Sequence, residues 1–529
     1  MTPLGGPFEM LHTPETFAIE KPVVRSAGGI VSAQHWEAAV AGAAVLREGG
    51  NAVDAAIATA LAIGGVEPWM SGIGGGGFML VGLAAEKKVY CVDYGMVAPK
   101  ALDPGRYALA NEGEAPEDFT FVWPRVVDDR NILGPEAVGM PGSVAGFAAA
   151  LERFGTLNWQ EVMQPAISLA DQGMPTDWYQ TLQIAYGAAA GLGKFSESTK
   201  TYLPNGVPPV SLSSHAPKRI QLGNLPQTLR RLSEAGPEDF YTGQLAELVL
   251  KDIDASAFTA EDFANYKAQI AEVPGIPYRG KMVHLADGLT GGPTFARALK
   301  AIEKTIDPSQ PLSPDTYVAW ADALRESYAY RFDTLGHDAK ADELACTTHI
   351  TVVDAAGNMV ALTNTLLERF GSRYMGPETG ILFNNGLMWF DPTQGKPNSI
   401  APGAKPLSNM CPTIVTDGGV PEFACGASGG RRIVPACFQM TSMAVDYAMD
   451  LKAIYGTPRI DVSGVDNVIS DARLPESVND ALSANHEVVR SFQSVGMRPF
   501  ANPQAVMRRN GENSAAAVAE MATSAAVPA

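Results

Sequence analysis

Three groups of residues in this chain have types and spacings that could do chemistry. Thr347-Thr348-His349 opens a β-favouring run, and Thr365 lies on the run that returns from it. A threonine hydroxyl is a weak nucleophile unless a base stands beside it, and one solution is an N-terminal threonine whose own α-amine takes the proton. Here that requires the chain to cut itself between Cys346 and Thr347; taken alone, the run reads as ordinary strand. Gly426-Ala427-Ser428-Gly429-Gly430 satisfies G-x-S-x-G between a strand-like and a helix-like stretch, with Asp466 or Asp471 and then His486 available as triad partners for Ser428. No HGGG-type oxyanion element accompanies it. The backbone N–H groups of the same turn would equally stabilise an oxyanion raised by a nucleophile elsewhere. Gly72, Gly74 and Gly77 match G-x-G-x-x-G by letter. A dinucleotide site needs a strand before these glycines and a helix after them, and here the order is reversed, so close backbone approach is the better reading.

The elements that must position these residues are legible from pattern. Glu37 to Gly50 reads as a small-residue helix stopped by two glycines, and Asn51 starts a second helix with Asp54 in a capping-box arrangement. After Pro68 a glycine run feeds an apolar strand. From about Pro99 to Asp338, helical patterns alternate with Pro/Gly-rich connections, none with catalytic spacing, and the region reads as scaffold. From Ala341 the texture becomes β: CTTHITVV, a turn at DAAGN and MVALTNTL predict a hairpin. RRIVPACFQM predicts a helix, and the Ala-rich last residues predict a fraying tail.

Composition bounds the partners. The chain has 529 residues, 39 Lys+Arg against 57 Asp+Glu and a net charge of -18. Nucleic-acid or anionic-membrane binding needs a basic surface, which this balance argues against. Only 18% of residues are charged, so a large share is expected to be buried between layers. The seven histidines show no ligand spacing, so no metal is expected. Five cysteines without a CxxC pair, and a start lacking basic and apolar signal regions, read as a reduced, cytoplasmic protein. No apolar run is long enough to span a membrane.

Several stretches together resemble the γ-glutamyltransferase family: GGNAVDAAIATALAIGGVEPWMSGIGGGGFML, VGMPGSVAGF, TTHITVVDAAGNMVALTNTL, GILFNN, KPLSNMCPTIV and GASGGRRI, in family order from about Gly28 to Met440. The resemblance implies an α+β fold, the four-layer αββα sandwich of N-terminal-nucleophile hydrolases, made as a precursor that cleaves itself. Residues 1–346 would form the large subunit and 347–529 the small one, and the resemblance leaves room for a homo-oligomer of that heterodimer. By the family pattern, Thr347 is the autoprocessing residue and nucleophile. Thr365 orients it, Gly429 and Gly430 form the oxyanion hole, and Ser408 matches the first of two serines that contact a substrate carboxylate. The second of those positions is Asn409. No cofactor is implied.

The departures from the pattern narrow the expected substrate. Asp93-Tyr94-Gly95-Met96 lacks the arginine that holds a glutamyl α-carboxylate, an expected asparagine is Leu367, and the groups that hold the α-amine align with Gly386 and Trp389. A charged head without partners would lose several kcal/mol in a partly buried pocket. The expected activity is therefore hydrolysis of an oxamate- or glutaryl-like amide carrying a carboxylate, with Arg431 as a candidate replacement anchor. The stretch from Asp391 to Pro406 is short and implies an open site. The alternatives are a γ-glutamyl hydrolase or transferase with a rearranged clamp, a Ser428 hydrolase, and a member that never cleaves.

Overall fold

The computed structural model describes residues 19–110, 124–211, 217–336, 346–463, 467–491 and 499–529. Its strands, in chain order, begin with β1 (Val24–Ser26), β2 (Ile30–Ala33), β3 (Gly76–Leu83) and β4 (Lys88–Tyr94). Short β5 (Met174–Thr176) and β6 (Lys218–Ile220) precede β7 (Gln269–Glu272), β8 (Ile276–Tyr278) and β9 (Lys281–Leu285). The hairpin β10 (Cys346–Val353) and β11 (Met359–Leu367) follows, then β12 (Thr413–Asp417) and β13 (Val420–Ser428). Last come β14 (Ile460–Asp461), β15 (Asn467–Asp471), β16 (Glu487–Ser491), β17 (Asn502–Arg509), β18 (Glu512–Ala517) and β19 (Ala525–Pro528).

Two seven-stranded sheets carry the fold, one ordered β1-β18-β17-β13-β12-β9-β8 and the other β19-β2-β10-β11-β3-β4-β7. Between them Ile30, Leu80, Val353, Ala361, Ile414, Ala424 and Val506 form a dry apolar layer. The outer face of the second sheet packs on the Ala-rich helices α1 (Trp36–Arg47) and α2 (Ala52–Val66). Gly42 lets these two approach closely: a Cβ there would lie 2.0 Å from Thr59 Oγ1. The outer face of the first sheet packs on the helices 292–302, 314–334 and 433–445 through Phe295, Trp320 and Phe438. This is the αββα order of layers.

Most expected elements are present. Asn51 caps α2 in a full capping box with Asp54, and Gly49 ends α1 with φ +100°. The tail does not fray as expected: β18 pairs with β17, and β19 pairs with β2 from Ala525↔Ala33 to Pro528↔Ile30. Alanine has little strand preference of its own, and a free edge to pair with decides the matter.

Candidate functional site

The hairpin sets the geometry. Facing pairs run from Val353↔Met359 to Thr348↔Asn364, and the register slips between Cys346 and Thr348. Thr347 therefore sits in a bulge, a device that re-aims one side chain out of a strand's alternation. Its Oγ1 donates to Thr365 Oγ1 at 3.4 Å, and Thr365 Oγ1 also accepts the Leu367 N–H at 2.8 Å. Leu367 has φ +83°, a conformation that costs a leucine about 1–3 kcal/mol and persists where the surroundings over-determine it. The two threonines expected to work together are thus brought together. Thr347 is only 1% exposed, and Ser408 and Asn409 2% each, so the open site expected from the short 391–406 stretch is not observed.

The glycine run explains itself beside this hairpin. A Cβ on Gly75 would lie 2.2 Å from Thr365 O, and one on Gly77 2.0 Å from Thr363 O. These glycines let β3 and the turn before it press against the strand that supports the nucleophile position, which is the close approach expected. Asn384 locks the same region: its Oδ1 accepts from Gly139 and Gly386 N–H, and its Nδ2 donates to Gly74 O and Gly139 O, each at 2.8 Å.

Opposite the hairpin, β13 brings the second candidate group. Gly426 stands against His349, where a Cβ would fall 2.2 Å from the ring. Ser428 Oγ accepts hydrogen bonds from Gln34 Nε2 and, at 3.4 Å, from Asn502 Nδ2. The turn that follows leaves β13 beside Gln34, one residue past the end of β2. Gly429 (φ +136°) and Gly430 (φ +65°) both adopt backbone conformations that a side chain would strain. The Ser428 triad is not assembled. His486 lies 2.9 Å from Asp322 and 2.9 Å from Arg325, on the outer helices, and Asp471 is bound by Arg473 at 2.7 Å. Asp466 lies outside the described residues.

Ser408 and Asn409 are held by a residue that sequence reasoning missed. Arg331, fully buried, donates to Thr290 O (2.9 Å), Ser408 O (2.9 Å) and Asn409 Oδ1 (2.8 Å). The signal was available, since Arg331 continues the buried stripe of Trp320, Leu324 and Ser327 along one helix face. Ser408 Oγ itself is buried without a hydrogen-bond partner, a polar group left for something else to satisfy. Arg431, the candidate anchor, is buried at the start of the helix that follows the glycine turn. Its guanidinium lies 6.0 Å from the Phe332 ring centroid, and Arg432 and Arg431 oppose the burial that raises the Asp461 carboxyl.

The positions where charged clamps were expected are apolar here. Leu367 and Trp389 pack with Phe78, Met96, Met388 and Met410 in one buried cluster beside Thr365. Among the described residues no cluster of His, Cys, Asp or Glu could hold a metal ion, and no helix is long and apolar enough to cross a membrane.

Comparison with known proteins agrees with this geometry. The family model described as Gamma-glutamyltranspeptidase matches residues 38–345 and 336–528. An Acylase ACY 1 proenzyme of Pseudomonas sp. (strain SE83) is 32% identical over 91% of the chain and 90% of its own length. A Glutathione hydrolase proenzyme of Pseudomonas sp. (strain A14) is 29% identical over 92% and 89%. A cephalosporin acylase from Bacillus halodurans superposes with TM-score 0.83 over 98% of the chain and 99% of its own, at 22% identity, which supports the fold.

Proposed function

Because the chain belongs to the γ-glutamyltranspeptidase family and is a hydrolase acting on amide bonds, we propose that Thr347 is its nucleophile and that Thr347 becomes N-terminal by self-cleavage. The observation that carries the reading is the bulge at Thr347, which points its hydroxyl at Thr365. The precursor steps follow from that placement. Thr347 Oγ attacks the Cys346 carbonyl, the peptide shifts to an ester, and water releases residues 1–346 from 347–529.

In turnover the freed α-amine, half of it neutral at its ordinary pKa of about 8, accepts in that neutral form the hydroxyl proton as Oγ attacks the substrate amide carbonyl. The Gly429 and Gly430 N–H groups hold the oxyanion. Collapse expels the amine, which takes the proton back from the α-ammonium, and leaves an acyl ester on Thr347. The α-amine then deprotonates water, and hydrolysis frees the acid. Thr365 orients Oγ, while Ser408 and Asn409 contact the substrate. The acyl group is a small one bearing a carboxylate. The glutathione hydrolase relatives keep the γ-glutamyl alternative in view, but the apolar residues Leu367 and Trp389 disfavour an ammonium-bearing glutamyl head. The unpaired thiols of Cys91, Cys411, Cys425 and Cys437 fit a reducing, cytoplasmic setting.

Intact mass of purified wild type and Thr347→Ala tests this directly. Wild type is expected as two chains divided before Thr347, and the variant as one. An undivided wild type would overturn the proposal.

A further inference from the structure

Across the inner face of the second sheet a single row of facing residues runs His349, Thr363, Phe78, Asp93. Thr365 lies two residues beyond Thr363, and Gly95 two beyond Asp93, so they mark the next row toward the site. At the far end of that row stands a cation that the sequence did not single out. Lys405 Nζ grips both carboxylate oxygens of Asp93 and sits 5.4 Å from the Phe78 ring centroid. A Cβ on Gly95 would meet Lys405 Cε at 2.8 Å and Nζ at 3.3 Å, so a side chain at 95 would push the end of this lysine aside. The lysine occupies the space that glycine leaves.

Its setting differs from that of the other cations near the site. Arg331, Arg373 and Arg431 are at most 3% exposed, and Arg373 is paired with Glu368 at 2.5 Å. The Lys405 side chain is 30% exposed. An ammonium has three donors, and Asp93 engages two, leaving one to be offered to a ligand. Asp93 also accepts the Gly95 N–H at 3.0 Å, which fixes the pair in place. Phe78, beside this head, shares one buried apolar cluster with Met96, Leu367 and Trp389, and Trp389 Nε1 is buried there without an acceptor among the described residues.

We infer that Lys405 is the anchor for the free carboxylate of the substrate's acyl group, with the apolar cluster covering the methylene chain between that carboxylate and the amide carbonyl at Thr347. This rests on the Thr347 reading and narrows it. Two strand spacings separate Thr365 from the Asp93–Gly95 edge, about 10 Å. The acyl chain of a five- or six-carbon dicarboxylic acid, about 5–6 Å from carbonyl to carboxylate carbon, bridges a gap of that order once a contact of about 3 Å is added at each end. Oxamate, whose two carbonyl carbons are adjacent, does not.

The test compares adipoyl and hexanoyl p-nitroanilides, alike in length and differing in the terminal carboxylate, on wild type, Lys405→Met and Lys405→Arg. Losing a charge-assisted contact is expected to raise KM for the adipoyl substrate about 10- to 100-fold in Lys405→Met. Its kcat/KM for the hexanoyl substrate is expected to stay within about threefold, and Lys405→Arg to restore most of the adipoyl preference. Equal losses on both substrates would make Lys405 a tether for Asp93 and overturn the assignment, as would a wild type with no preference for adipoyl. If Lys405→Met does not fold, adipate and hexanamide are compared as inhibitors of hexanoyl anilide hydrolysis by wild type. Competitive inhibition by adipate alone supports the anchor, and equal inhibition by both overturns it. Intact mass of the same preparations separates the two claims. A divided wild type without adipoyl preference sinks the anchor alone, and an undivided one sinks the Thr347 reading and the anchor with it.

Discussion

A histidine two residues past the proposed nucleophile invites a reading as its general base, and the surroundings of His349 deny it. Its ring is fully buried between the sheets, Nδ1 lies 2.8 Å from Thr363 Oγ1, and Gly426 presses on its edge. Burial lowers its pKa from 6.5 to about 3, so it stays neutral and packs rather than shuttles protons. The described residues bring no other base to Thr347 Oγ1, which agrees with the proposal that an α-amine freed by cleavage does that work. The same shift makes a stability prediction. The folded pKa lies below the unfolded one, so the unfolded chain binds the extra proton as pH falls below about 6.5, and stability is lost progressively toward pH 3. His349→Gln, which cannot titrate, is expected to be less stable at pH 7 but to lose less stability between pH 7 and pH 4. Urea midpoints of both proteins across that range measure the difference, and parallel pH slopes would contradict it.

At the scale of elements, what was legible in the sequence was local, and what was missed was assembled through space. The capping box of Asn51 and Asp54, the 346–367 hairpin and the helix after Arg432 all follow from neighbours in the chain. The pairing of Thr347 with Thr365 was legible through a resemblance, since spacing alone leaves a strand register open. The bulge between Cys346 and Thr348 carries no sequence mark of its own. Arg331 and Lys405 were missed because each acts on residues far along the chain, 77 and 312 positions away. Arg331 shows how a helix read as scaffold shapes the site. From the 314–334 helix it holds the Ser408–Asn409 segment, so Arg331→Met would strip partners from buried carbonyls at Thr290 and Ser408. A loss of about 3–5 kcal/mol is expected. If the protein still folds, Ser408 and Asn409 are released while Thr347 and Thr365 are untouched, so KM should rise more than kcat falls. Chemical denaturation and steady-state kinetics read the two effects separately, and a pure kcat defect would place Arg331 elsewhere in the mechanism.

At the scale of the whole molecule, the proposed cut divides a chain whose sheets ignore the division. Strands from before and after Thr347 pair directly in five ladders: β1 with β18, β9 with β12, β2 with β10, β2 with β19, and β3 with β11. Neither piece holds either seven-stranded sheet complete. Residues 347–529 alone would leave β10, β11 and β12 with open edges and their outer faces without α1, α2 and the 314–334 helix. The low charged fraction of 18% follows from the same interleaving, because faces in both pieces must be apolar to bury against the other. The two chains are therefore expected to co-elute in size exclusion under native conditions and to lose structure in one coincident transition on titration with denaturant. They should separate only once unfolded. Residues 347–529 produced alone, beginning at Thr347, should fail to fold and should aggregate through the exposed strand edges. Recovery of that fragment as a soluble, cooperatively folding protein would show that the subunits are separate domains, and the interleaved sandwich would no longer account for how the cleaved enzyme holds together.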